Sequence, residues 1–220
     1  MMNENKQIDE LYQAGKSKEA IHQLIALIDQ EPKNANNYMQ LATYLLDQGS
    51  PEQAQELLEK ARGLVDNPGD LDYDLAVAYY ANGDFDKSLA LLKNIPNDDL
   101  TLYQKALVYL KMGQTSRALA HALSIKEQGD KVKELLGDIW LALGDLKAAE
   151  GSFLAIPEKK RSAKVNFLLG VSCLEADRDR VDQFFAKAEK MDPKYYKQAK
   201  NQYQSLLKLV RQKQGGQDKK

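Results

Sequence analysis

An all-α solenoid of repeated helix pairs is the fold this 220-residue sequence predicts, and three observations predict it. Glycines recur at Gly15, Gly49, Gly83, Gly113 and Gly144, at spacings of 34, 34, 30 and 31 residues. Before each glycine stand a small residue (Ile8, Ala42, Ala76, Ala106 or Gly137, Ile8 fitting poorly) and then a large one (Leu11, Leu45, Tyr79, Tyr109 or Trp140). After each, at helical spacings, come Ala20, Ala54, Ser88, Ala118 or Ala149, then Leu24, Leu58, Leu92, Ala122 or Phe153, then Leu27, Ala61, Ile95, Ile125 or Ile156. A period of this length marks stacked units, each too small to bury its apolar face alone, so stability comes from interfaces between neighbours.

Within each unit the glycine relieves a tight turn between two helices. The second helix then starts at a capping residue: Ser17, Ser50 ahead of Pro51, Asp84, Thr115 or Asp145. Small residues let the two helices approach, and large ones fill the space between units. The second helices of the third and fifth units end early, at Ile95-Pro96 and Ile156-Pro157. A sixth copy with a turn one residue shorter reads Leu169-Gly170, Cys173, Asp177, Val181, Phe185, Ala188 and Pro193.

These residues resemble the tetratricopeptide repeat, whose pattern sets Leu-Gly and an aromatic residue on the first helix, then Ala, an aromatic residue and Pro on the second. Leu136-Gly137 with Trp140, Gly144, Ala149 and Phe153 is the closest copy, and Pro32 and Pro193 fill the closing proline. The resemblance implies an all-α, right-handed superhelical solenoid of about six helix-turn-helix repeats over residues 1–193, divided as 1–34, 35–68, 69–97, 98–128, 129–158 and 159–193. It specifies the fold and says little about function.

Beyond the repeats, Tyr196, Ala199, Tyr203, Leu206 and Val210 form one apolar stripe, which predicts a capping helix over 194–213 followed by a flexible tail, 214–220. Lys194, Lys197, Lys200, Lys208 and Arg211 decorate its other side, so a membrane-surface or partner-binding role is the alternative.

The 31 basic and 32 acidic side chains give a net charge of -1, without the basic excess of a dedicated nucleic-acid binder. Near-neutrality hides a gradient: residues 1–100 hold 8 basic and 18 acidic side chains, residues 187–220 hold 10 and 3. Exclusion of an anionic partner therefore applies to the repeats and not to the last helix. No apolar run is long enough to span a membrane, and the polar start does not read as a signal peptide. With a single cysteine and no internal disulfide, the expected location is cytoplasmic.

Nothing in the sequence assembles a catalytic or metal site. His22 and His121 fall on the outer faces of second helices and are expected to be solvated, while Cys173 stands at a large apolar site as a small buried hydrophobe. Phosphate-cradling loops, His-Glu-x-x-His and paired cysteines are missing. The prediction is a protein without enzymatic activity, cofactor, metal or small-molecule substrate.

By the resemblance, first helices line a concave groove that receives a partner's peptide or helix. Its rows are Met39, Thr43 and Leu46; Tyr73, Val77 and Tyr80; Tyr103, Leu107 and Leu110; Glu134, Asp138 and Leu141; and Phe167, Val171 and Leu174. The family's carboxylate-gripping subset carries Lys, Arg and Asn in these rows, and that clamp is missing here. Packing between neighbouring first helices would account for apolar rows. Tyrosines, however, have the profile of interface anchors, and Asp70, Asp74, Glu134 and Asp138 flank the strip, which points to a basic, amphipathic protein or peptide partner. The leading function is an adaptor or scaffold. Alternatives are a chaperone-like holdase for an apolar segment, which the aromatic groove also fits, then a binder of anionic membrane or nucleic acid through the basic last helix, which is disfavoured, and self-association through the groove or an uncapped end to form a homo-oligomer.

Overall fold

The computed structural model describes residues 4–174 and 177–217, with side chains placed as far as Ser205. Among the described residues every regular element is helical. The chain divides after Gln114 into two compact units. Unit 1 contains α1 (Glu4–Gln13), α2 (Ser17–Gln30), α3 (Ala35–Asp47), α4 (Pro51–Ala61), α5 (Asp72–Asn82), α6 (Phe85–Leu92) and α7 (Asp99–Lys111), with a 3-10 turn at Pro68–Leu71. Each helix packs on the one before it, and α3, α5 and α7 also stand side by side. Unit 2 contains α8 (Thr115–Leu123), α9 (Asp130–Leu143), α10 (Leu146–Leu154), α11 (Ala163–Ser172), α12 (Arg178–Met191) and α13 (Pro193–Gln217), with a 3-10 turn at Glu158–Lys160. It packs sequentially in the same way, and α13 also lies against α11.

All five repeat glycines take positive φ, between 71° and 84°. In each turn the glycine N–H donates to the carbonyl three residues back, and the next N–H donates to the carbonyl five back. At Gly83 these bonds run to Tyr80 (3.1 Å) and from Asp84 to Tyr79 (2.8 Å). This double closure satisfies the last carbonyls of the first helix and fixes the exit direction of the chain. Capping side chains matter less than expected. Asp145 accepts from the Ala148 N–H at 2.9 Å, but Ser50 and Asp84 hold the cap position without such a bond. Ser17 and Thr115 are already the first residues of α2 and α8.

The short second helices expected before Pro96 and Pro157 are present: α6 has 8 residues and α10 has 9. Unexpectedly α8 is also short, with 9 residues. The sixth turn contains Glu175 and Ala176, outside the described residues. The last helix opens at Pro193 and runs to Gln217, so residues 214–217, expected in the tail, are helical.

Burial follows the repeat pattern. Ala42 and Leu58 share one buried cluster, and Ala76 and Leu92 another. Where the small residue is glycine, the facing residue is phenylalanine: a Cβ on Gly137 would lie 2.3 Å from the Phe153 ring, and one on Gly170 would lie 2.5 Å from the Phe185 ring. Ser88, at a position otherwise held by alanine, is fully buried and donates its hydroxyl to the Ala76 carbonyl at 2.7 Å. At the start of unit 1 the rings of Tyr12 and Tyr44 stack with centroids 3.8 Å apart. The Tyr44 hydroxyl donates to Asp9 (3.1 Å) and accepts from Gln40 (2.7 Å), tying α1 to α3.

The glycine–phenylalanine contact is testable. Gly137→Ala is expected to cost about 1–3 kcal/mol by overpacking, and Phe153→Leu in the same chain to recover most of that loss. Urea unfolding of the double-mutant cycle measures the coupling, and simple additivity would show that the two residues do not compete for one space.

Candidate interaction surface

The rows expected to line a groove separate by unit. In unit 1 they stand on three adjacent helices. α3 carries Met39, Thr43 and Leu46, α5 carries Tyr73, Val77 and Tyr80, and α7 carries Tyr103, Leu107 and Leu110. All are half-buried except Thr43, which is exposed and donates its hydroxyl to the Met39 carbonyl (3.0 Å). Met39 and Leu46 pack against the cluster around Leu58 and Leu75. Tyr73 and Tyr80 pack against the one around Leu92 and Val108, and the Tyr80 ring lies 5.9 Å from that of Phe85. These side chains thus belong partly to the core, and each keeps a share of its surface accessible.

Acids surround the tyrosines. Asp98 caps α7, accepting from the Thr101 N–H at 2.8 Å, and Asp70 accepts from the Asn67 amide at 2.6 Å. Burial, then the charges of Asp74 and Asp98 and the neighbouring Tyr103, raise the Tyr73 phenol above its usual 10.0. Asp74 is half-buried on α5, and desolvation pushes its carboxyl up from 3.8 to about 6, offset only by a bond to its own backbone. None of the ion pairs among the described residues reaches it.

The rows of unit 2 are differently disposed. Glu134 and Asp138, one turn apart on α9, both accept from the Lys164 ammonium of α11, at 2.8 and 2.7 Å. Burial pulls Lys164 down, but the two carboxylates together outweigh it and hold the ammonium above its ordinary value. Glu134 and Asp138 therefore carry charge that Lys164 already meets. Phe167 is 4% exposed beneath aromatic rings, with centroids of Phe185, Tyr195 and Tyr196 at 5.1, 6.4 and 6.0 Å. Leu141 and Val171 are half-buried, and Leu174 is exposed. Sequence reasoning missed Lys164, although the repeat period points to it: it stands 30 residues after Glu134.

Residues singled out for chemistry do not converge. His22 is exposed on α2, as expected, but His121 is half-buried on α8. Cys173 is fully buried, and burial followed by the Glu150 carboxylate pushes its thiol up, away from nucleophilic reactivity. The described residues hold no group of three or more His, Cys, Asp and Glu able to take a metal ion, and no helix long and apolar enough to cross a membrane.

With the paired helices, glycine turns and rows in view, sequence comparison names the repeat. The model of the Tetratricopeptide repeat matches residues 11–68 and 45–108. Residues 11–108 thus carry tetratricopeptide repeats. None of the curated proteins matches its sequence. Among solved structures, it resembles Pseudomonas aeruginosa PilF (15% identity, 90% of this chain and 95% of that one, TM-score 0.69). It also resembles PilW, described as a widely conserved type IV pilus biogenesis factor (16%, 86% and 92%, TM-score 0.70). A third is YrrB, described as a tetratricopeptide-repeat protein with an unusual peptide-binding site (18%, 81% and 97%, TM-score 0.55). At these identities the likeness shows the fold alone. Tetratricopeptide-repeat proteins mediate protein–protein interactions, and in unit 1 the tyrosines of α5 and α7 are half-buried, with part of their surface accessible.

Asp74 supplies a pH test. Its folded value lies above the unfolded one, so the folded state holds more protons between pH 3.8 and about 6. Stability therefore falls as pH rises through that window, and the loss persists above it. Asp74→Asn is expected to stabilise the protein by about 1–2 kcal/mol near neutral pH, after discounting for the exposed part of the group. Denaturant titrations should show the gain disappearing as the pH approaches 3.8.

Proposed function

We propose that this tetratricopeptide-repeat protein is a cytoplasmic adaptor that takes a basic, amphipathic segment of a partner protein on the tyrosine face of unit 1. The observation that carries the reading is the composition of two adjacent helices. Tyr73, Val77, Tyr80, Tyr103, Leu107 and Leu110 are half-buried there, beside acids of which Asp74 lacks a cation. Tyrosine offers a large, rigid contact with a polar tip, and fully desolvated rings at the centre of an interface dominate its energetics. A lysine or arginine of the partner placed near Asp74 would provide the counter-charge that the protein itself withholds, while acids at the rim raise the association rate. An enzymatic role has no support, because the candidate nucleophile and bases are dispersed. A cytoplasmic setting agrees with one buried cysteine and no disulfide.

The test replaces Tyr73, Tyr80 and Tyr103 by serine together, confirms unchanged helicity by circular dichroism, and compares proteins captured from lysate. Loss of partners whose binding segments are basic and amphipathic is expected. An unchanged set overturns the proposal.

A further inference from the structure

The proposed face accepts a basic, amphipathic helix, and the chain carries one. α13 has 25 residues, six of them basic and none acidic. Its first turns are occupied within unit 2: Tyr196, Ala199 and Tyr203 pack with Phe167, Phe185 and Ala188. α12, against which it lies, has 14 residues. At a rise of 1.5 Å per residue α13 is about 37 Å long and α12 about 21 Å, so the later turns of α13 extend beyond the helix that covers its beginning. In sequence, those turns alternate Leu206, Leu207, Leu209 and Val210 with Lys208, Arg211 and Lys213.

Charge favours a particular occupant of the face. Residues 1–114 carry 10 basic and 18 acidic side chains, and residues 115–220 carry 21 and 14. Before α13 unit 2 is balanced: residues 115–192 hold 13 basic and 13 acidic side chains, among them the pairs of Asp130 with Lys160, Glu134 and Asp138 with Lys164, Glu150 with Arg180, and Glu158 with Lys187. The surplus positive charge therefore lies in α13 and beyond, and the surplus negative charge in unit 1. We infer that the tyrosine face of unit 1 takes the carboxy-terminal half of α13 from a second copy of this chain. The inference rests on the reading of that face given above. Because each copy offers both surfaces, two copies exchanging helices form a closed pair, whereas unreciprocated exchange gives an open chain.

The test uses the full-length protein in sedimentation velocity over a wide concentration range, at ionic strengths of roughly 0.05 M and 0.5 M. Association that weakens at the higher salt is expected. Two variants separate the surfaces: Tyr73→Ser with Tyr103→Ser on the face, and Lys208→Glu with Arg211→Glu and Lys213→Glu on the helix. Each alone should sediment as a monomer, while an equimolar mixture should regain a heterodimer through the one intact face and one intact helix. A wild-type monomer at every concentration, or a mixture that stays monomeric, overturns the inference. Titration of the helix variant with a synthetic peptide of residues 204–217 and with an unrelated basic amphipathic peptide tells the two readings apart. Binding of the unrelated peptide alone overturns self-association and leaves the adaptor reading standing. Binding of neither peptide overturns both, and binding of the 204–217 peptide that is lost at least tenfold with Tyr73→Ser and Tyr103→Ser supports both.

Discussion

Two helices joined by a turn of two or three residues lie closely side by side where one of them carries a small residue at the crossing. The glycine turn fixes the direction in which the second helix leaves, through two backbone bonds repeated at all five glycines. The small residue seven positions earlier then fixes the distance. Size is conserved across the crossing: alanine shares a cluster with leucine in the second and third pairs, and glycine meets a phenylalanine ring in the fifth and sixth. A pair that kept both a Cβ and the ring would overfill the same space, which is as damaging as a void in a close-packed interior. Each crossing also positions the large residue one turn on, which packs against the next pair, so an error at one crossing is passed to its neighbour.

The same economy decides what remains on the surface. Cores lie between consecutive helices, and first helices stand beside one another, so residues on the outer rows of α3, α5 and α7 are covered on one side only. A side chain in that position needs an apolar flank and a solvated end, which tyrosine supplies. Unit 2 meets the same requirement differently. Lys164 settles between Glu134 and Asp138, and α13 lays Tyr195 and Tyr196 over Phe167. Rows equivalent by repeat alignment are therefore inequivalent in what covers them.

Much of this was legible in the sequence because the repeat encodes it redundantly. Gly15, Gly49, Gly83, Gly113 and Gly144 each announce a left-handed turn, and Pro96 and Pro157 announce where second helices stop. Side-chain caps were read too strongly. Once a glycine turn has fixed the chain's path, a serine or aspartate at the next position is free to bond elsewhere, as Asp84 does with Lys87 at 3.1 Å. The short α8 carried no proline to signal it. Phe167 was read as open because repeat alignment says which face a residue occupies and not what folds over it later in the chain. Burial of Phe167 depends on α13, whose docking is a long-range event that no local period records.

Polar contacts one repeat apart were the signal left unused. Asn5 donates to Asn37, Tyr12 stacks on Tyr44, Lys33 pairs with Asp66, and Lys160, Lys164, Arg180 and Lys187 pair with acids 26 to 30 residues earlier. Stacking brings equivalent positions of successive pairs together, so opposite charges at the repeat spacing become neighbours as surely as i and i+4 on one helix. Each such exposed pair contributes about 0–1 kcal/mol. Their larger effect is to settle where charge is neutralised locally and where it is left over. In unit 2 residues 115–192 balance at 13 basic and 13 acidic side chains and leave the excess on α13 and beyond, whereas unit 1 holds 18 acids against 10 basic side chains. A net charge of -1 is thus compatible with two strongly charged surfaces, and the repeat register, more than the total, determines which partner each surface can attract.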